Sequence, residues 1–315
     1  MNRIAFIFPG QGSQAPGMGR DVATDPAVEN IYRTADRVLG FELSRICFDG
    51  GAENLRDTSV TQPGVFVTSL VFDRLLRERG ISPAVVTGHS LGDYTALVAA
   101  GAVEWTTALR LVRRRGELMA KVNRYTPGAM AAVLGLPLDR VEELCEDVSS
   151  RPGHFVQVAN INTADQTVVS GDEAGVSALV KAAKSSDARD AVPLKVGAPF
   201  HSELMRPIEE EFASHLDKEE FQAPSIPVVS SVSGEYIESG EEARALLRAQ
   251  PTAPVLWSKV LRLLVDERVS TLVEVGPGRV LTNLARSEAP RTPAMRVGTL
   301  RALDKAVERL RPHSA

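Results

Sequence analysis

The chain is poor in the residues that build metal and disulfide chemistry. Its 315 residues include two cysteines and five histidines. Two cysteines cannot staple a chain of this length, and no CxxC occurs. No HxxxH or HxH pair occurs either, so the usual zinc-ligand spacing is missing. No charge dominates: 36 Lys+Arg against 40 Asp+Glu leave a net charge of −4, which gives no general footprint for nucleic acid. No apolar run reaches the about 18 residues that a membrane-spanning helix needs. The first run, residues 4–8, stops at Pro9-Gly10 and is too short for the core of a secretory signal. These absences predict a cytoplasmic protein with neither nucleic acid nor membrane as partner. Cys47 and Cys145 are expected to be reduced, as small apolar residues of helices.

What is present is ordinary globular composition, 43% hydrophobic and 24% charged, in a length that suits one large domain or two smaller ones. Short Val- and Ile-rich runs at 4–8, 84–87, 130–134, 155–159, 167–170, 191–196, 227–231 and 271–275 read as strands. Helical patterns at 64–79, 91–102, 106–122 and 138–148 lie between them. This alternation predicts an α/β fold with a mainly parallel sheet. Residues 289–293 read as a loop. Between 130 and 196 the order becomes β-α-β-β-α-β, the ferredoxin-like order. Strand–helix alternation then resumes. The expected plan is a small domain, 125–196, inserted into a large discontinuous one, 1–124 and 197–315.

The most informative residues are Gly88-His89-Ser90-Leu91-Gly92, a G-x-S-x-G between an apolar strand and a helical pattern. Small residues at both glycines let the chain turn sharply with Ser90 at the tip. The helix that follows aims its N-terminus at the reacting centre, with the Leu91 N–H as the first donor to developing negative charge. A serine hydroxyl needs a base. His89 is adjacent in sequence, but neighbouring side chains diverge on an elbow, so it is expected to pack or bond locally. His154 starts a strand, His215 lies in a charged helix and His313 in the C-terminal tail. His201 sits where the chain leaves the insert, the place where a cleft between domains would form. Position alone leaves its role open.

Pro9-Gly10-Gln11-Gly12-Ser13-Gln14-Ala15 fits G-x-G-x-x-A, a dinucleotide fingerprint. Pro16-Gly17 would break the receiving helix, and Asp36 falls inside a helical pattern rather than at a strand end. The other reading places this loop beside the elbow, offering the Gln11 N–H as a second donor. Arg115 lies on the apolar stripe of its helix with Leu111, Val112 and Met119. Arginine is almost never fully buried unpaired. It either bridges a core carboxylate or snorkels outward, or it clamps a substrate carboxylate.

Together these motifs resemble the malonyl-CoA:acyl carrier protein transacylases, including the discrete acyltransferases of polyketide synthases. The resemblance runs from residue 4 to about 287. It also includes Thr61-Gln62-Pro63, Gly128-Ala129-Met130-Ala131, Ala159-Asn160-Ile161-Asn162, Phe200-His201-Ser202, Pro254-Val255-Leu256-Trp257 and Glu274-Val275-Gly276-Pro277-Gly278. It implies an α/β-hydrolase-like large domain with an inserted ferredoxin-like small domain. Ser90 would be the nucleophile, His201 the base, Gln11 and Leu91 the oxyanion donors, and Arg115 the ligand of the malonyl carboxylate. A main-chain carbonyl at Gln250 would orient the histidine. Asn160 would support the site, and the bulk of Phe200 would crowd an α-substituent. The implied partners are malonyl-CoA and an acyl carrier protein. Coenzyme A would enter as substrate thioester, with no cofactor and no metal, and a monomer is expected. The family often carries adjacent basic residues where Arg189 is followed by Asp190 here. Rival readings are transfer of a substituted malonyl unit, a serine thioesterase or esterase on the same elbow, and a non-catalytic docking module.

Overall fold

The computed structural model describes residues 3–196 and 198–311, and the side chains of 123 and 124 are outside that description. Gly197, at the expected domain boundary, and His313 lie outside the described residues. Nine strands are present among the described residues: β1 (Ile4–Phe8), β2 (Val85–Gly88), β3 (Gly128–Leu134), β4 (Val156–Thr163), β5 (Gln166–Asp172), β6 (Asp190–Pro193), β7 (Val228–Val229), β8 (Thr271–Val275) and β9 (Ala294–Val297). They form a five-stranded sheet, β7-β2-β1-β8-β9, and a four-stranded sheet, β4-β5-β3-β6. Every pairing in the first sheet is parallel and every pairing in the second antiparallel.

The parallel sheet is buried on both faces, as crossover helices require. Strand alternation divides its residues between two cores. Phe6, Phe8, Val86, Val273 and Val275 join one, while Ala5, Ile7, Val85 and Leu272 join the other, against Trp257, Val260 and Leu264. The antiparallel sheet has a core of its own. Ala131, Val133, Val169 and Ala191 meet Val141, Leu144 and Cys145 of the helix Leu138–Ser149 and Val176 and Leu179 of the helix Glu173–Ser185. Its opposite face carries Met130, Ala132 and Val168, which line a cleft against the large domain. The antiparallel sheet is also joined through the backbone to the segment that precedes the helix Trp257–Asp266. Ile161 N–H donates to Val255 C=O at 2.8 Å, and Val255 N–H to Ala159 C=O at 2.9 Å. The antiparallel sheet falls inside 125–196, in the ferredoxin-like strand order.

Two local readings differ from the structure. The helix expected from residue 64 begins at Thr58 and continues to Glu78, with Pro63 inside it. Proline removes the N–H that would bond the Ser59 carbonyl. Arg113 Nη1 donates to that carbonyl instead, at 2.6 Å. The other difference is β9, which follows the expected 289–293 loop and pairs with β8. It is a short, half-exposed edge strand with Arg296 in it, so it lacks the apolar run that marks a buried strand. Both cysteines are buried and free, and burial pushes each thiol up to about 12. Among the described residues, no helix is long and apolar enough to cross a membrane.

Candidate active site

Three loops at the carboxyl ends of β1, β2 and β8 meet at one edge of the parallel sheet, where open α/β sheets bind ligands. The elbow is held by contacts that allow no side chain at its glycines. A Cβ on Gly92 would lie 2.0 Å from the Phe8 carbonyl oxygen, and one on Gly88 would lie 1.8 Å from the Gly92 backbone. The His89 N–H donates to that same Phe8 carbonyl at 3.0 Å, which pins the turn to the end of β1. Ser90, at the tip, has φ 55°. His201 also has positive φ, 57°. Left-handed backbone at a non-glycine costs about 1–3 kcal/mol, and persists only where the surroundings hold it.

The structure brings Ser90 and His201 together although 111 residues separate them, with Ser90 Oγ 2.8 Å from His201 Nε2. His201 Nδ1 faces two main-chain carbonyls, Gln250 at 3.0 Å and Ala253 at 3.1 Å. Carbonyls only accept, so Nδ1 carries the proton and Nε2 presents its lone pair to the serine hydroxyl. Burial, and then the positive charge of Arg115, lower the His201 pKa to about 3. The imidazole is therefore neutral and ready to accept a proton at ordinary pH.

Arg115 is 1% exposed. Its Nη2 donates to Ser90 Oγ at 3.0 Å, its Nη1 to Gln62 Oε1 at 2.8 Å, and its Nε has no partner. The guanidinium stands over the Tyr94 ring at 5.8 Å. Among the described residues no carboxylate forms a salt bridge with it, so the core ion pair considered from the sequence is absent. Burial works against its charge, so a carboxylate reaching it would compensate a desolvated cation.

Neither Gln11 nor Leu91 donates its backbone N–H to a protein acceptor among the described residues. Gln11 lines the cleft, and Leu91 leads into the helix Gly92–Ala99 with its side chain in the core. The Gln11 side chain bonds Thr58 Oγ1 and Gln62, so the glycine-rich loop braces the residues around Arg115. The cleft is about 340 Å³ and includes Asn160 and Phe200 in its walls.

Some readings need correction or extension. His89 reaches further than expected: besides its local contact with its own backbone, its Nε2–H donates to Asn162 Oδ1 at 3.0 Å, across to the insert, and its ring meets Trp257 edge-on at 5.5 Å. His215 is half-buried and accepts from Arg114 Nε at 3.1 Å. Glu274, in a motif without an assigned role, is buried and accepts from the N–H groups of Leu281 and Thr282, capping the helix Val280–Glu288. That helix supplies Leu281 and Leu284 to the cleft wall. Gln62 had no role from the sequence, although a polar residue between the buried Thr61 and Pro63 of an apolar helix is a signal. Asp93 was also missed. It is buried, and burial pushes its carboxyl up to about 7 against the opposing pull of donors from Ser231 and Gln250.

The arrangement suits one kind of chemistry. A hydroxyl nucleophile has a neutral base, the Gln11 and Leu91 N–H groups have no protein acceptor among the described residues, and a buried cation bonds the nucleophile. This can form an ester on Ser90 from an activated acyl group, and it favours an acyl group that carries a negative charge.

The family described as acyl transferase domain matches residues 5–309. The malonyl CoA-acyl carrier protein transacylase of Bacillus subtilis (strain 168) is 38% identical over 312 residues, covering 99% of this chain and 98% of the relative. The protein of the same description from Escherichia coli (strain K12) is 38% identical over 288 residues, covering 91% and 93%. Among solved structures, a malonyl-transacylase in complex with its type II polyketide synthase acyl carrier protein superposes with a TM-score of 0.94 at 36% identity, covering 98% of this chain and 99% of that one. Likeness at this level over essentially the whole length, with the elbow serine and its histidine in bonding contact, leads to one assignment: the chain belongs to the acyl transferase domain family, among the malonyl-CoA:acyl carrier protein transacylases.

Proposed function

We propose that this protein moves a malonyl group from coenzyme A to the phosphopantetheine thiol of an acyl carrier protein, in fatty-acid or polyketide synthesis, working as a cytoplasmic monomer. The observation that carries the reading is Arg115, a buried guanidinium that forms no salt bridge among the described residues and lies 3.0 Å from the nucleophile. Ser90 Oγ attacks the thioester carbonyl while its proton passes to His201 Nε2. The Gln11 and Leu91 N–H groups hold the oxyanion. The carbon–sulfur bond then breaks, and His201 returns the proton to the departing coenzyme A sulfur. In the second half the carrier thiol gives its proton to His201, its sulfur attacks the carbonyl carbon of the Ser90 ester, the carbon–Oγ bond breaks, and His201 returns the proton to Ser90 Oγ. Atoms and charge balance without a metal or redox cofactor. The malonyl carboxylate takes the place of Ser90 Oγ as acceptor for Arg115. Phe200, in the cleft wall beside His201, restricts bulk on the malonyl α-carbon.

Intact-mass measurement tests this directly. Malonyl-CoA adds one malonyl group to the wild-type protein, and the tryptic fragment bearing it contains Ser90. A holo carrier protein discharges the adduct, whereas buffer alone leaves it in place. Rapid discharge to water would favour a thioesterase, and absence of the adduct would end the covalent reading.

The pH dependence follows from the depressed histidine. A base with a lowered pKa is lost only as pH falls through that value, here about 3. His201 is therefore expected to contribute no inflection to kcat/KM for acylation by malonyl-CoA between about pH 5 and 8, because this parameter reports ionisations of the free enzyme. A stopped-flow inflection near the ordinary histidine value of about 6.5 that persists in Asp93→Asn, where the buried carboxyl pushed up to about 7 is gone, would show that His201 titrates as a solvated imidazole.

A further inference from the structure

Asp93 stands three residues beyond the nucleophile, in the first turn of the helix Gly92–Ala99, and is 3% exposed. The reaction above does not use it, and no lysine or arginine forms a salt bridge with it among the described residues. Its Oδ2 accepts from Ser231 Oγ at 2.6 Å and from Gln250 Nε2 at 2.9 Å. Its Oδ1 meets the Ser231 N–H at 3.4 Å. Gln250 Nε2 donates a second time, to the main-chain carbonyl of Ser90 at 2.9 Å. The main-chain carbonyl of Gln250 is one of the two that hold His201 Nδ1. One glutamine therefore touches both halves of the catalytic pair.

The Gln250 backbone N–H donates to the Leu246 carbonyl at 3.0 Å, while its side chain has fewer ties. Gln250 is the C-cap of the helix Gly240–Ala249, where carbonyls are released from intrahelical bonding. Its Oε1 is buried without a partner, so its side-chain orientation depends on its two donated bonds. Of the two acceptors, the Ser90 carbonyl is itself part of what must be held. Only Asp93 is an independent anchor, and it is in turn braced by Ser231.

The geometry points to Asp93 as a positioning residue for acyl transfer. It fixes the Gln250 side chain, and through it the Ser90 carbonyl and the carbonyl that orients His201. This rests on the acyl-transfer reading of the site. A carboxylate suits the position because two donors converge on one oxygen, and a carboxylate can accept both. An asparagine with its oxygen turned toward them would keep both contacts, whereas alanine would lose both.

The test follows acylation of Ser90 by malonyl-CoA, by rapid quench and mass spectrometry. The variants are Asp93→Ala, Asp93→Asn, Gln250→Ala and the double variant Asp93→Ala/Gln250→Ala. Malonyl-CoA affinity is measured by calorimetry with each change placed on Ser90→Ala. Asp93→Ala and Gln250→Ala should each slow acylation by about 10- to 100-fold, the scale of a small misplacement of reacting groups. Affinity should shift by less than about threefold, and the double variant should be no more than about threefold slower than the slower single, because both changes cut one link. Asp93→Asn should recover most of the rate. A wild-type rate in Asp93→Ala, losses that multiply in the double variant, a loss confined to affinity, or an Asp93→Asn as slow as Asp93→Ala would each overturn the inference. If Asp93→Ala does not fold, Gln250→Ala decides: slow acylation at unchanged affinity upholds the link, and a wild-type rate removes it. Absence of acyl-Ser90 in the wild type would overturn the acyl-transfer reading and this inference with it. Acylation at equal rates in wild type and variants would overturn the inference alone.

Discussion

Changing His201 to alanine lowers the rate of Ser90 acylation by about 10⁴- to 10⁶-fold, the range over which loss of one member of a catalytic serine–histidine constellation is felt. The geometry gives the reason. Nε2 lies 2.8 Å from Ser90 Oγ with its lone pair toward the hydroxyl, and the ring is 4% exposed, so solvent does not readily supply a base in its place. The loss should fall on kcat. The imidazole bonds the serine and two backbone carbonyls, not the group that recognises the acyl chain, so malonyl-CoA affinity should hardly change. Rapid-quench acylation together with calorimetry on the Ser90→Ala background separates the two. A loss of less than about tenfold would mean that Ser90 is activated by something else. The remaining slow reaction should still modify Ser90, and Ser90→Ala should carry no adduct at all.

Arg115→Ala should lower kcat/KM for malonyl-CoA by about 10²- to 10⁴-fold while changing that for acetyl-CoA by less than about tenfold. Removing one partner of a buried ion pair costs about 3–5 kcal/mol, which converts to that range of rate. Acetyl has no carboxylate to lose, so the discrimination between the two substrates collapses. Arg115→Lys should not restore it. A lysine ammonium is a single point of charge without the planar fork by which the guanidinium reaches Gln62 through Nη1 and Ser90 through Nη2. Steady-state rates for the two thioesters, measured side by side, decide the matter. Retained malonyl preference in Arg115→Ala would show that the acyl group is selected elsewhere.

The sequence carried the elbow because its chemistry is local. Two glycines, a serine, a preceding apolar strand and a following helix lie within about a dozen residues, so the pattern is readable although one of the contacts that requires Gly92 comes from Phe8. The ferredoxin-like order was legible for a similar reason, since its strands and helices are consecutive. The pairing of Ser90 with His201 is not local. Position at the exit of the insert suggested the histidine, and the family resemblance selected it from the five. Asp93, Ser231 and Gln250 were further out of reach. A hydrogen-bond network of side chains from three distant segments leaves no period or spacing in the sequence. The beginning of the helix Thr58–Glu78 was hidden because the arginine that satisfies the Ser59 carbonyl belongs to another helix. Arg115 shows where sequence reasoning stops. Its place on an apolar stripe was visible, but the absence of a partner carboxylate is a fact of packing.

The paired backbone contacts between β4 and Val255 have a mechanical consequence. Val255 lies two residues after Ala253 and five after Gln250, the residues whose carbonyls hold the base. The Asn162–His89 bond ties the same strand to the elbow. The small domain is therefore geared to both working parts and is not a detachable cover. For anyone exchanging this module between relatives to alter acyl preference, the cut points at its two chain termini are insufficient. The segment around 250–257 must travel with it or be rematched to the incoming strand, or the transplanted wall will arrive with the base out of line.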